Sequence, residues 1–129
     1  MKILGSEPIE LKEESCSFEI DTVQDSELQL MTDRSVHVFI RIRNAGNLKI
    51  RAAVPENEKV SIVFWNDSAD PIRIKEEYEV KENAVLDLAY GECNEADMQR
   101  NIEIKLSGRK AKASISSASL VNRKKYYDM

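Results

Sequence analysis

The chain is poor in the residues from which most small chemical sites are built. Its 129 residues include two cysteines, one histidine, three prolines and four glycines. Cys16 and Cys93 lie far apart and form no Cys-x-x-Cys pair, so they predict no disulfide framework. The N-terminus lacks the apolar segment of a secretory signal, and no stretch approaches the roughly 20 apolar residues of a membrane helix. We therefore expect a cytoplasmic protein with reduced thiols and no membrane contact.

Sequence motifs of common enzymes are also missing. The chain has no Walker A loop, no GxGxxG and no GxSxG, which argues against nucleotide hydrolysis and acyl transfer. Its 19 basic and 23 acidic residues give a formal charge of −4, whereas nucleic-acid binding needs a surplus of positive charge along one face. The basic run 123–125 is interpreted as a solvated strand end. These absences predict a protein that is not an enzyme and does not bind nucleic acid.

Alternating apolar and polar residues dominate what remains. In the stretch from Glu79 to Val121, three extended segments carry apolar side chains on every second position, which indicates strands with one buried face. The same alternation recurs from Pro8 onward and predicts nine or ten short strands, with a turn about every 8–12 residues. The pattern fits a single all-β domain spanning 1–129. Strand spacing alone leaves a sandwich, a barrel or a β-helix open and favours an antiparallel β-sandwich.

Four local expectations follow from the same pattern. Glu76-Glu77 is expected to interrupt the strand that begins at Ile72. The strand 60–65 is apolar on both faces, so both faces are expected to be covered. The segment Asn94–Arg100 is the one place where a helical turn is expected, because it is polar and lacks alternation. Ala111, Ala113 and Ile115 are expected to continue the buried face, with small residues following through Ser119.

The C-terminal half also resembles a known family. A strand, a Glu82-Asn83-Ala84 turn and a strand ending in Gly91-Glu92 are similar to the core of the SufB/SufD proteins. A later strand–Gly108–x–x–Ala111–strand unit matches the same pattern. These proteins are the non-ATPase subunits of the SUF system for iron–sulfur cluster assembly. The resemblance implies a right-handed parallel β-helix, whose open ends must be capped or paired with a partner.

The resemblance also implies a function and partners. It predicts a non-catalytic scaffold that acts with a SufC-like ATPase subunit and a second SufB/SufD-like subunit, as a homo- or hetero-oligomer. Family members are much longer, and their ATPase-docking and cluster-building positions have no counterpart here. The chain is therefore expected to correspond to the N-terminal part of the family's β-helix core, as a fragment or a short relative, and no functional residue is transferred to it. The alternative is a β-sandwich binding module for carbohydrate or protein.

Metal-ligating candidates are few. Cys93, Cys16 and His37 are the only soft ligands, and an iron–sulfur cluster held within one chain needs four thiolates. Zinc needs three or four ligands, which these three supply only if the fold gathers them. Cys16 is expected to be a buried small hydrophobe, Cys93 a more exposed strand-end residue and His37 a surface side chain. We expect no catalytic residue and no cofactor bound by this chain alone, so an iron–sulfur cluster would contact it only within a complex.

The acidic runs and the aromatic residues are expected to have structural roles, on the surface and in the core respectively. The acidic runs, namely Glu13-Glu14, Glu56 with Glu58, and Glu76-Glu77 with Glu79, each have a lysine nearby and are expected to form solvated, salt-paired surfaces. Four strand aromatics are expected to pack in the core: Phe64, Trp65, Tyr78 and Tyr90. Tyr126 and Tyr127 are expected to lie on a terminal strand, where they could anchor an interface.

Overall fold

The computed structural model describes residues 8–93, 97–119 and 125–128, which contain eleven β-strands and no helix. The strands, in chain order, are β1 (Pro8–Leu11), β2 (Ser15–Asp21), β3 (Ser26–Thr32), β4 (Val36–Asn44), β5 (Asn47–Val54), β6 (Lys59–Asn66), β7 (Ile72–Val80), β8 (Val85–Glu92), β9 (Met98–Leu106), β10 (Lys112–Ser119) and β11 (Lys125–Asp128). Short turn segments connect the strands from β1 to β8 and connect β9 to β10. The all-β prediction is confirmed.

The strands alternate between two parallel sheets. Odd-numbered strands form a six-stranded sheet in the order β1-β3-β5-β7-β9-β11, and even-numbered strands form a five-stranded sheet in the order β10-β8-β6-β4-β2. Every strand pair is parallel. The chain therefore winds as a β-solenoid, with one strand of each coil in each sheet. This confirms the β-helix and rules out the antiparallel β-sandwich, because hairpin-connected neighbours would pair antiparallel.

The coils stack in register. One inward-facing ladder of the five-stranded sheet joins Cys16, Val38, Ile62, Leu88 and Ile115, which lie 22, 24, 26 and 27 residues apart in the chain. Side chains on alternate positions point into the narrow space between the sheets, here called the lumen. Valine, isoleucine and leucine fill most of it, and Ile40, Ile50 and Ile62 are fully buried. Burial of these branched side chains is the main stabilising contribution to the stack.

The same kind of turn recurs where a strand of the six-stranded sheet leads into the next strand of the five-stranded sheet, between β5 and β6, β7 and β8, and β9 and β10. Asn57, Asn83 and Lys110 each adopt a left-handed backbone conformation, with φ of 65°, 55° and 60°. The Asn83 side chain donates a hydrogen bond to the Asn57 side chain of the preceding coil at 3.0 Å. A Cβ at Gly108 would collide with the backbone of Glu82 in the coil below, which explains why glycine stands there. The Glu82-Asn83-Ala84 and Gly108–Ala111 segments are thus stacked turns between strands.

Two of the local expectations from sequence are wrong. β7 runs without interruption through Glu76-Glu77, because Glu76 points into the lumen and Glu77 points to solvent, as the alternation requires. Met98–Arg100 begins β9 instead of forming a helical turn, since it pairs in parallel with β7. Residues 94–96 of that segment lie outside the described residues.

Two burial expectations are also wrong. Val63 of β6 is 43% exposed on the outer face, so the strand is covered only on its lumen side. Ala113 and Ile115 of β10 lie on the inward-facing ladders, yet both are exposed, and Ile115 is 39% exposed. The reason is position, because β10 is the last strand of its sheet and no further described coil covers it. Within the described part of the chain, no helix is long and apolar enough to cross a membrane.

Candidate functional site: the lumen cluster and the C-terminal end

A group of charged and phenolic side chains occupies the lumen at the level of the last coils. This group, here called the lumen cluster, consists of Glu76, Tyr78, Tyr90, Glu92 and Arg100. Glu76, Glu92 and Arg100 have no exposed surface. They stand where the alternation of β7, β8 and β9 places an inward side chain. The fold therefore carries three charged groups into a space lined mostly by hydrocarbon.

Arg100 connects the two carboxylates. Its Nε lies 3.0 Å from Oε2 of Glu76, and its Nη1 donates a hydrogen bond to Oε1 of Glu92. The guanidinium also stacks on the Tyr90 ring, with Cζ 4.0 Å from the ring centroid. Phe64 lies parallel to Tyr90 at a centroid distance of 4.9 Å. Arginine suits this place because its planar, weakly hydrated cation can both pair with carboxylates and stack on an aromatic face.

The remaining oxygen atoms of the carboxylates accept hydrogen bonds. Oε1 of Glu76 accepts from the hydroxyls of Tyr78 and Tyr90, the latter at 2.8 Å. Oε2 of Glu92 accepts from Nδ2 of Asn66 at 3.1 Å. Buried charges are tolerated when they are paired and hydrogen-bonded in this way. The network therefore ties β6, β7, β8 and β9 together through side chains as well as backbone.

Burial changes the titration of the cluster. Loss of solvent raises the pKa of Glu76, and this outweighs the lowering effects of Arg100 and the two phenol hydrogen bonds, while Glu92 raises it further. Burial likewise raises the pKa of Tyr78 and of Tyr90, and the charge of Glu76 adds to it. Both phenols therefore stay protonated and act as donors. The cluster is closed to solvent, so it can hold charge and protons but offers no surface to a substrate.

The three candidates for metal ligation are not brought together. Cys16 faces the lumen on β2, the edge strand, whereas His37 faces outward on β4. Cys93 follows β8, which is separated from β2 by β6 and β4. Both cysteines are free thiols of intermediate burial. Among the described residues, no group of three or more His, Cys, Asp or Glu is arranged to hold a metal ion.

The outer faces of the two sheets differ in chemistry. On the five-stranded sheet, Phe39 and Val63 stand side by side on neighbouring strands and are 41% and 43% exposed. Trp65 lies beside them and covers Gly91, where a Cβ would come within 2.5 Å of its ring. Trp65 is therefore half-buried on the outer surface and not in the core, whereas Phe64 is buried as predicted.

The six-stranded sheet has a charged outer face. The Glu77 carboxylate lies 3.4 Å from the ammonium of Lys49 and 3.6 Å from both Arg51 and Lys75. Burial opposes ionisation of this group, but the three cations outweigh it and lower the pKa of Glu77. The salt-paired surface predicted for this acidic run is thus present at Glu77, and the prediction is wrong for Glu76, which lies in the lumen.

The C-terminal end of the stack exposes apolar side chains that the earlier coils bury. Leu106 of β9 pairs in register with the buried Val80, and Ile115 of β10 pairs with the buried Leu88. Leu106 is nevertheless 54% exposed and Ile115 39% exposed. No described strand pairs with the outer edge of β10. The term C-terminal end is used below for Leu106, Ala113, Ile115 and this free edge.

Sequence reasoning missed Glu76, Glu92 and Arg100. A signal was available, because each occupies an inward position in a strand whose other inward residues are apolar, such as Ile74 and Tyr78 around Glu76. A charged residue at such a position predicts a buried partner of opposite sign. Which residue is the partner could not be found, because it depends on the register between coils. No protein-family model, curated protein or solved structure matches this chain.

Proposed function

We propose that the protein is a non-catalytic scaffold subunit that binds another protein through the C-terminal end of its solenoid. The observation that carries this proposal is the pair of inward-facing apolar residues, Leu106 and Ile115, left exposed beside the free edge of β10. An unpaired parallel edge presents a row of backbone donors and acceptors with which another extended chain can pair along its length. Exposed apolar side chains next to that edge favour a partner that continues the stack.

The sequence of β10 supports docking at this edge. Its residues from Ala113 to Ser119 contain no charge and no proline, which are the features that usually prevent strands from adding to an edge. The opposite end of the solenoid has such features. β1 begins with Pro8, β2 carries Glu19, and the pairing of β2 with β4 shifts register between Ile20 and Asp21.

The finer proposal concerns the system in which the scaffold acts. The resemblance to SufB/SufD proteins, carried by the Glu82-Asn83-Ala84 turn, Gly91-Glu92 and the Gly108–Ala111 turn, supports a role in iron–sulfur cluster assembly. In that role the partner at the C-terminal end is a second SufB/SufD-like subunit, and a SufC-like ATPase supplies the energy. The chain itself supplies a rigid surface, and any cluster ligands would come largely from the partner.

The experiment is co-purification with the candidate partners. The chain is co-expressed with the SufC-like ATPase and SufB/SufD-like protein of its own organism, and the mass of the assembly is measured by gel filtration with light scattering. Ile115→Glu places a charge at the docking edge, and Phe39→Glu is the matched control, because Phe39 is similarly exposed but lies in mid-sheet. We expect the complex to be lost with Ile115→Glu and kept with Phe39→Glu.

Other outcomes separate the two levels of the proposal. If the chain forms no complex with these proteins but self-associates through Ile115, the result supports docking through the C-terminal end and contradicts the role in iron–sulfur cluster assembly. If Phe39→Glu disrupts the assembly and Ile115→Glu does not, the outer face of the five-stranded sheet is the interface and the C-terminal end is rejected.

A further inference from the structure

The lumen cluster has an unequal number of opposite charges. Two carboxylates, Glu76 and Glu92, face a single guanidinium, Arg100, and all three are fully buried. Among the described residues, the titratable groups that face Glu76 are Tyr78 from its own strand, Tyr90 and Glu92 from β8, and Arg100 from β9. β6 contributes Phe64 and the amide of Asn66, which do not titrate. Counted over the part of the chain that the structure describes, the cluster carries one net negative charge when both carboxylates are ionised, and its three charged side chains are closed to solvent.

We propose that the lumen cluster is a one-proton switch that tightens the last coils of the solenoid when it binds a proton and loosens them when it releases it. A buried net charge is costly in a medium of low dielectric constant, and a proton is the smallest group that can neutralise it. Glu76 is the carboxylate that takes the proton. Burial and the nearby charge of Glu92 both raise its pKa.

The position of the cluster determines which strands respond. Arg100 belongs to β9 and Glu92 to β8, and these strands form the last coils together with β10 and β11. In the backbone register, Ser119 of β10 pairs with Glu92 and Tyr127 of β11 pairs with Arg100. The earlier coils carry no charged side chain at the equivalent positions. Ile20 and Ile42 precede Asn66 and Glu92 on one ladder, and Ser26, Leu48 and Ile74 precede Arg100 on another. Proton release is therefore expected to loosen β8 and β9 and to leave β2 and β4 unchanged.

The sign of the effect follows from linkage. Because the pKa of Glu76 is higher in the folded chain than in the unfolded chain, the folded chain binds more protons between the two values. The stability contributed by this group is fully present below the unfolded pKa and is lost as the pH rises through the folded pKa. A solvated ion pair such as Glu77 with its cations changes in the opposite direction, since its pKa is lowered.

The test measures titration and local opening in the whole chain. The carboxyl carbon of Glu76 is followed by NMR as the pH is raised, and amide exchange of β9 is measured over the same range and corrected for the intrinsic pH dependence of exchange. We expect Glu76 to titrate above the range of an ordinary glutamate, with protection of β9 falling at least several-fold through the same midpoint. Protection of β4 is expected to stay constant.

Three variants complete the test. Glu92→Gln removes the charge of the second carboxylate and is expected to lower the pH midpoint of Glu76. Glu76→Gln is expected to abolish the pH dependence of β9 protection. Glu77→Gln, one residue away on the opposite face of β7, should leave that dependence unchanged.

Three results would overturn the proposal. They are a titration midpoint of Glu76 in the range of an ordinary glutamate, an equal pH dependence of amide protection in β4 and β9, and a Glu76 midpoint that does not change in the Glu92→Gln variant. Titration and amide exchange of the wild-type chain decide the first two of these results even if Glu76→Gln fails to fold, and the third needs only Glu92→Gln. None of these readouts depends on a partner protein, so the result stands apart from the docking experiment.

Discussion

The first and last coils of this solenoid share a backbone design and differ in what fills them. In the first coils the lumen is lined by hydrocarbon apart from Ser26. Both edge strands there carry features that discourage strand addition: Pro8 in β1, and Glu19 with a register shift in β2. In the last coils the lumen holds Arg100 between Glu76 and Glu92, and the edge strand β10 is uncharged from Ala113 onward. Together with the two proposals above, the comparison assigns the partner-binding edge and the proton switch to the same end of the solenoid.

The largest expected effect comes from removing the cation at the centre of the lumen cluster. Arg100→Met leaves two buried carboxylates without a counter-charge and should lower the free energy of unfolding by about 3–5 kcal/mol. Arg43→Met removes an exposed pair with Glu19 and should change it by less than about 1 kcal/mol. Urea denaturation at pH 7 measures both. Equal effects of the two substitutions would show that the cluster contributes no more than a surface ion pair.

The next effect concerns the outer surface directly above the cluster. Gly91→Ala adds a methyl group 2.5 Å from the Trp65 ring, so the indole must move, at a cost of about 1–3 kcal/mol. Because Gly91 lies between Tyr90 and Glu92, the strain falls on the strand that carries the cluster. The double variant Gly91→Ala with Trp65→Ala should recover part of the loss, as measured by thermal unfolding. An additive double-variant result would mean that the two residues do not compete for space.

A conservative pair of substitutions compares the two ends of the lumen. Ile40→Val removes a methylene from a fully buried site and should cost about 1 kcal/mol. Ile115→Val at the C-terminal end should cost much less in the isolated chain, because that side chain is already 39% exposed. Urea denaturation of the two variants measures the difference. A cost for Ile115→Val as large as that for Ile40→Val would indicate that the C-terminal end is covered.

The smallest expected effect lies in the stacked turns. Lys110 adopts φ of 60°, a conformation that asparagine tolerates better than lysine. Lys110→Asn should therefore stabilise the chain by about 0.5 kcal/mol, and it would place a third asparagine beside Asn57 and Asn83. Lys112→Asn, in the neighbouring strand, is the control and should give no gain. A loss of stability at Lys110 would mean that its side chain makes contacts that outweigh the backbone strain.

The alternation of side chains was sufficient to predict the strands and much of the core. Strands β4 and β6 show why, because every second residue in each is buried, as the period of two requires. The buried residues are Val36, Val38 and Ile40 in β4, and Val60, Ile62 and Phe64 in β6. The parallel arrangement could not be obtained in this way, because a period of two is the same in parallel and antiparallel sheets. It followed instead from the resemblance carried by the turns.

The lumen cluster could not be assembled from sequence for a different reason. Glu76, Glu92 and Arg100 belong to three different strands, and only the register between coils brings them into contact. Their residue types led to the expectation of a solvated surface for Glu76 and a helical turn for Arg100. The exposure of Ile115 could not be predicted from the sequence either, because it depends on β10 being the last strand of its sheet. Local patterns specify which way a side chain faces but not what covers it.

The most direct test of the scaffold account compares the two edge strands of the five-stranded sheet in the presence of a partner. Amide hydrogen exchange is measured for the chain alone and after addition of the SufC-like ATPase together with the second SufB/SufD-like subunit. The account predicts increased protection of the β10 amides between Ala113 and Ser117 and no change in β2. Protection that appears in β2, or on the outer face around Phe39, with β10 unchanged, would contradict it.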